Sequence, residues 1–134
     1  MTKRKNYPTD GELEILQILW GKGPSTVKDV NIILANEKEV GYTTTLKIMQ
    51  IMHEKKLVSR EKDGKSHIYT ASISIDDTQQ QVLDKVVDTV FQGSAMKLVM
   101  QALGNRKSSK EELEEIKKYL DTLNIVKGEE ANDE

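Results

Sequence analysis

The chain has 134 residues, of which 37% are hydrophobic, 31% charged and 4% aromatic, and its formal net charge is −2; this length suits one domain or two small ones. The absence of cysteine excludes a disulfide framework, a thiolate nucleophile and a cysteine-based metal site. No apolar segment approaches the roughly 20 residues of a membrane span, and the N-terminal stretch lacks the apolar core of a signal peptide, so we expect a cytoplasmic protein without membrane insertion.

The small net charge conceals an uneven distribution. Residues 1–75 carry 12 Lys and Arg against 9 Asp and Glu, a charge of +3, whereas residues 76–134 carry 8 against 13, a charge of −5. Such a difference in sign between halves indicates a charged ligand on one side. Ordinary variation in surface charge explains a split of this size equally well, so other features of the chain have to decide.

The N-terminal half predicts three helices and a β-hairpin. Thr9 and Glu12 have the spacing of a capping box, which marks the start of the first helix. The dipeptide Asp63-Gly64 is a strong hairpin signal between two short β-prone runs. The predicted elements are helices over residues 9–20, 25–36 and 43–56, followed by strands on either side of Asp63-Gly64.

Beyond residue 74 the pattern predicts helices alone, over residues 77–91, 94–103 and 109–124. The last helix begins with a second capping-box pattern, Ser109 with Glu112. Its apolar residues follow the spacing 3, 4, 3 of a coiled-coil seam, and they are Leu113, Ile116, Leu120 and Leu123. Helices this short bury little of their own apolar surface, which favours a homodimer. The alternative is that they fold back on the N-terminal half.

These patterns predict a mainly α protein with a small β-hairpin. We expect a winged helix-turn-helix DNA-binding domain over residues 1–73 and a C-terminal helical dimerisation domain over residues 74–124. The remaining residues, 125–134, are polar and acidic, and we expect them to form a disordered tail.

The third predicted helix presents two different faces. Its apolar side is expected to contain Leu46, Ile48, Met49, Ile51 and Met52. Its polar stripe consists of Thr43, Lys47, Gln50 and Glu54. Threonine and glutamine suit contacts with base edges in a DNA major groove, and lysine adds charge towards guanine or phosphate. Tyr42 and Thr44 lie at the helix start, where backbone N–H groups favour phosphate.

Every solvent-exposed helix has a polar stripe, so the stripe alone does not indicate DNA binding. The hairpin that follows the third predicted helix supplies further evidence. Arg60, Lys62 and Lys65 place positive charge around its turn. Three helices followed by a basic hairpin are typical of a winged helix-turn-helix, in which the third helix enters the major groove of double-stranded DNA and the wing contacts the backbone. The N-terminal Lys3-Arg4-Lys5 adds possible phosphate contacts.

We find no residue set for catalysis or metal binding. His53 and His67 are the two histidines, and neither has the neighbours of a metal site or a catalytic triad. Four methionines, Met49, Met52, Met96 and Met100, are interpreted as core residues. We therefore expect no enzyme activity, no cofactor and no metal. The alternative to DNA binding is a winged-helix module that binds another protein.

The chain resembles the penicillinase-repressor family of winged-helix regulators in an ordered set of short motifs. The resemblance is carried by Thr9–Leu16 with Leu19-Trp20, by Tyr42-Thr43-Thr44, by Lys55–Val58, by Arg60–Lys65 and by Ile68-Tyr69. It implies a homodimeric transcriptional repressor that binds a dyad-symmetric operator. The recognition contacts of the family correspond to Tyr42, Thr43, Thr44 and Lys47, and its wing contacts to Arg60, Lys62 and Lys65.

The resemblance also implies a partner and marks two departures. Family members are commonly released from DNA when a membrane metalloprotease sensor triggers their cleavage, often at an Asn-Phe bond. The corresponding stretch here is Val99–Ala102, which contains no such pair. Lys56 stands where relatives usually have glycine at the end of the recognition helix, a position that favours a left-handed backbone.

Overall fold

A computed structural model describes residues 7–105 and 108–132 of the chain, with the side chains of Asn105 and of residues 125–132 left out. The chain contains six helices and two strands in this described part, in the order α1 Asp10–Lys22, α2 Val27–Ala35, α3 Tyr42–Glu54, β1 Val58–Asp63, β2 Ser66–Ala71, α4 Ile75–Thr89, α5 Ala95–Asn105 and α6 Lys110–Asn132. This order is a winged helix-turn-helix followed by C-terminal helices, which confirms the predicted fold class. The basic segment Lys3-Arg4-Lys5 lies outside the described residues.

The chain divides into two compact units, Met1–Val86 and Val87–Glu134. The first unit contains the three-helix bundle and the hairpin, and α4 crosses the division. The predicted domain limits, residues 1–73 and 74–124, remain a prediction. None of the helices in the described part has the length and hydrophobicity needed to cross a membrane.

Helix α1 begins with the predicted capping box. The Thr9 N–H donates to Glu12 Oε1 at 2.8 Å, and the Glu12 N–H donates to Thr9 Oγ1 at 3.2 Å. Each bond satisfies a backbone donor that the first helical turn leaves free. The helix ends at Lys22, and Gly23 follows with a φ of 92°, a backbone conformation that glycine adopts without a steric penalty.

Helix α2 begins later than predicted, because the backbone of Ser25 pairs with β2 of the hairpin. The Ser25 N–H donates to the Tyr69 carbonyl at 3.0 Å, and the Tyr69 N–H donates back at 2.8 Å, which forms an isolated antiparallel bridge. Thr26 is therefore the helix cap, in a capping box with Asp29. Hydrogen bonding from the backbone of Thr26, and then from its side chain, holds the pKa of Asp29 below its usual value. The Asp29 carboxylate is thus charged at neutral pH.

The hairpin has a register that shifts its turn by one residue from the prediction. Val58 pairs with Ala71, and Asp63 pairs with Ser66. The two turn residues are therefore Gly64-Lys65 rather than Asp63-Gly64. Gly64 has a φ of 62°, and a glycine with positive φ at the first central position is typical of a type II′ turn, whose twist matches that of the strands.

The core of the first unit lies between the three helices and the hairpin. Its fully buried apolar members come from all three helices and from β2, and they are Ile15, Leu16, Val30, Met49, Met52 and Tyr69. Trp20 is half-buried at the edge, where its indole N–H donates to the Ile73 carbonyl at 2.9 Å. This bond attaches α1 to the segment that leads from β2 into α4.

The C-terminal helices differ from the first unit in burial. Beyond Thr78, none of the residues whose side chains are described is buried. Met96 and Met100 of α5 are 74% and 65% exposed, so their interpretation as core residues is wrong for the single chain, although Met49 and Met52 are buried as predicted. Helix α6 continues through residues 125–132, which the sequence analysis assigned to a disordered tail. Its Glu, Lys and Ala residues are good helix formers, and the one glycine does not end it.

Candidate nucleic-acid interface

The outer face of α3 contains the predicted polar residues. Thr43, Thr44, Lys47, Gln50 and Glu54 are all exposed. Tyr42, at the first helical position, is 51% exposed. From Tyr42 to Gln50, a span of about two turns, the helix thus presents hydroxyl, amide and ammonium groups to solvent, and the Glu54 carboxylate follows one turn later. A stretch of this length fits the dimensions of a DNA major groove.

The opposite side of α3 differs from the prediction at two positions. Ile51, expected on the apolar side, is 37% exposed, because it follows Lys47 by four residues and shares its face. Thr45 is fully buried instead, with Met49 and Met52. The apolar residue type of Ile51 predicts the buried side, whereas its spacing of four residues from Lys47 predicts the exposed face on which it lies.

Buried polar contacts fix α3 against the other two helices. The Asn31 side-chain amide of α2 donates to Thr45 Oγ1 at 2.9 Å and to the Val40 carbonyl at 3.1 Å. It therefore connects α2 with both the turn before α3 and the first turn of α3. At the other end, Lys55 Nζ lies 2.9 Å from Glu12 Oε1, in an ion pair whose carboxylate side chain is only 3% exposed. Both ends of α3 are thus attached to the bundle.

The end of α3 has the backbone geometry of a Schellman motif. Lys56 has a φ of 67°, its N–H donates to the His53 carbonyl at 3.1 Å, and the Leu57 N–H donates to the Met52 carbonyl at 2.9 Å. Leu57 and Met52 are both buried in the same apolar core, and they occupy the two positions whose apolar side chains usually accompany this motif. Lys56 therefore adopts the left-handed backbone conformation expected at this position, where relatives usually have glycine.

The hairpin separates positive from negative side chains. Residues directly opposite in an antiparallel pair share one face of the sheet, so Arg60 with Tyr69, and Lys62 with His67, lie on the same face as buried Val58. Glu61 and Asp63 alternate to the other face. Arg60 is half-buried and donates to the Tyr69 hydroxyl at 3.3 Å, whereas Lys62 and Lys65 are exposed.

A cleft of about 230 Å³ lies between the start of α2, the start of α3 and the hairpin. Its polar lining comes from three segments: Thr26 and Lys28 from the start of α2, Tyr42 from the start of α3, and Lys65, Ser66 and His67 from the hairpin. Three of these side chains carry basic groups, and none is acidic. The predicted residues Tyr42 and Lys65 therefore border one cleft.

Comparison with known proteins agrees with this architecture. The sequence profile described as penicillinase repressor matches residues 8–122. The chain belongs to the penicillinase repressor family. It is similar to the penicillinase repressor of Staphylococcus aureus, with 21% identity over 84% of this chain and 89% of the relative. It is also similar to the methicillin resistance regulatory protein MecI of Staphylococcus aureus and of Staphylococcus epidermidis, with 20% identity over 84% of this chain and 91% of each relative.

Penicillinase repressors are transcription regulators rather than enzymes, and membership makes this chain a DNA-binding transcriptional repressor. The contribution of α2 to the candidate interface was not predicted from the sequence. Lys28 borders the same cleft as Tyr42 and Lys65, but it lies far from both in the sequence. The bridge between Ser25 and Tyr69 brings the start of α2 to the hairpin. No local sequence pattern predicts a long-range pair of this kind.

The residues predicted for dimerisation lie on α6. Leu113 and Leu120 are 41% and 54% exposed, and Ile116 and Leu123 are half-buried. Ser109 caps this helix, since its Oγ accepts from the Glu112 N–H at 3.0 Å. An apolar row of this kind remains largely uncovered within the single chain.

Proposed function

We propose that this repressor acts as a homodimer that binds a dyad-symmetric operator, with α3 in the major groove and the hairpin as a wing on the DNA backbone. The observation that carries the proposal is the cleft shared by Tyr42 of α3, Lys65 of the hairpin and Lys28 of α2. The start of α3 and the basic tip of the hairpin border the same cleft. We therefore expect one DNA duplex to contact both.

The side chains divide by the DNA groups that they suit. Thr43, Thr44, Lys47 and Gln50 are exposed on α3, and their donors and acceptors match base edges. Tyr42, Lys28 and the wing residues Lys62 and Lys65 contact phosphates, which position the protein without reading sequence. The guanidinium of Arg60 donates to the Tyr69 hydroxyl. It contacts the DNA backbone from the wing face that also contains Lys62.

The dimer contact is assigned to α6. Its row of Leu113, Ile116, Leu120 and Leu123 has coiled-coil spacing, and the exposure of Leu113 and Leu120 supports a second copy as the covering surface. Two identical winged helices related by a twofold axis then match two half-sites of an operator.

The family context bears on how repression ends. The names of the relatives refer to penicillinase and to methicillin resistance, and a membrane metalloprotease sensor is the partner that the family resemblance implies. The stretch Val99–Ala102 contains no Asn-Phe pair. Our proposal for this chain therefore includes no cleavage step at that bond.

Binding measurements on variants test the DNA assignment. The double variant Thr43→Ala/Lys47→Ala should lose about 10- to 100-fold in affinity for an operator obtained by selection, because it removes base contacts, and much less on unrelated duplex DNA. Lys65→Ala and Lys28→Ala should weaken both, and each should reduce the slope of log K against log salt by about 1.

A lysine outside the interface provides the control for these variants. Lys117 of α6 is exposed, and Lys117→Ala should leave the salt slope unchanged. Equal operator binding by the double variant and the natural sequence would refute the recognition-helix assignment. If the natural chain binds no duplex DNA at low salt but forms a stable complex with another protein, the interaction-module alternative replaces the proposal.

A further inference from the structure

Ile51 is an apolar side chain on a face of α3 that is otherwise polar. It is 37% exposed, it lies four residues after Lys47 and seven after Thr44, and these spacings place all three on neighbouring positions of one face. Among the described residues of α3, Tyr42 and Ile51 are the large hydrophobic side chains with marked exposure. Tyr42 borders the cleft with the wing, whereas Ile51 does not.

The position of Ile51 along the helix allows it to reach bases. Thr44 and Ile51 are separated by about 10 Å along the axis, and a major groove is about 12 Å wide. A span of seven residues is also the length over which the recognition helix of a homeodomain contacts base edges. Ile51 thus lies within reach of the groove whenever Thr44 and Lys47 contact it.

The major groove offers one apolar group to such a side chain, the 5-methyl of thymine. Guanine, adenine and unmodified cytosine present hydrogen-bonding groups there, and an isoleucine that approaches them removes water without replacing its hydrogen bonds. Contact with a methyl group buries apolar surface on both partners instead. We propose, on the basis of the function proposed above, that Ile51 is a specificity-determining residue that contacts a thymine methyl in each operator half-site.

Thymine-to-uracil replacement tests this contact because it removes the methyl alone. Each thymine of the selected operator is replaced singly by uracil, and binding is measured for the natural chain and for Ile51→Ala. At one thymine per half-site, the loss of the methyl should weaken the natural chain about three- to tenfold. For Ile51→Ala, the replacement of that thymine by uracil should cause no further loss of affinity, because the contact with the methyl group is already absent.

Two further variants separate the contact from general effects of truncation. Ile32 of α2 is 54% exposed and lies on another helix, so Ile32→Ala should keep the full sensitivity to uracil. Ile51→Val retains part of the apolar surface, should fold normally, and should retain part of the sensitivity. Folding of each variant is checked by the fluorescence of Trp20, the single tryptophan of the chain.

The possible results distinguish this inference from the proposed function. The same pattern of uracil sensitivity in Ile51→Ala and in the natural chain would overturn the role of Ile51 and leave the proposed function intact. An operator without thymine in its half-sites would do the same. Failure to select any preferred sequence would overturn both.

Discussion

At the scale of single residues, Lys56 occupies a backbone conformation that favours glycine. Its φ of 67° places it in the left-handed region, where the Cβ of an L-residue approaches the following carbonyl oxygen. The Schellman hydrogen bonds and the burial of Leu57 and Met52 in the core hold it there. The end of α3 is therefore stabilised by its surroundings, although the residue there is lysine rather than glycine.

We predict that Lys56→Gly stabilises the protein. Glycine removes the steric cost of the left-handed conformation, which is about 1 kcal/mol, and urea unfolding followed by Trp20 fluorescence should show a higher free energy of unfolding. Gln17→Gly is the matched control, since Gln17 is exposed in the interior of α1 and its replacement should cost about 1 kcal/mol. A loss of stability in both variants would contradict the assigned conformation of Lys56.

At the scale of secondary-structure elements, the ion pair of Glu12 with Lys55 attaches the start of α1 to the end of α3. Glu12 Oε1 accepts from both the Thr9 N–H and Lys55 Nζ, so one carboxylate serves the cap of α1 and the position of α3. The Glu12 side chain is only 3% exposed, whereas that of Lys55 is 28% exposed. Removal of the lysine leaves a negative charge with little access to water.

We predict that Lys55→Met destabilises the first unit by about 2 kcal/mol, a value below that of a fully buried pair because Lys55 retains some solvent access. Chemical denaturation followed by Trp20 fluorescence measures the change. The chain offers a matched control in Lys38, whose pair with Glu14 is similarly short at 2.8 Å but about half exposed on both sides. Lys38→Met should change stability by less than about 0.5 kcal/mol. Equal losses of stability in Lys55→Met and Lys38→Met would refute the claim that burial determines how much each ion pair contributes.

The elements themselves were largely predictable from the sequence, because their signals are local. The capping box of Thr9 and the apolar periodicity of α1 to α3 depend on residues a few positions apart. The bridge between Ser25 and Tyr69 and the hydrogen bond from Asn31 to Thr45 connect distant segments, so no local pattern encodes them. The late start of α2, the buried position of Thr45 and the contribution of Lys28 to the cleft all follow from such long-range contacts.

At the scale of the whole molecule, the net charge of −2 is compatible with DNA binding. It combines a charge of +3 over residues 1–75 with −5 over residues 76–134. In the first part, the hairpin collects Arg60 and Lys62 on one face and leaves Glu61 and Asp63 on the other. Local charge, rather than the total, determines the attraction to phosphate.

We predict that the double variant Ile116→Asp/Leu120→Asp converts the proposed dimer to a monomer, because it places charges in the apolar row of α6. Light scattering measures the mass directly. Lys118→Asp/Thr122→Asp is the control, with the same spacing on an exposed face of the same helix, and it should remain dimeric. A dimer that survives the first substitution would move the interface away from this row.

Selection of bound duplexes from random DNA tests the central claim most directly. A dimeric winged-helix repressor should enrich a dyad-symmetric sequence whose half-site centres are separated by about one helical turn, or a multiple of it. Enrichment of a sequence without dyad symmetry, or of no sequence at all, would contradict the proposed mode of operator recognition.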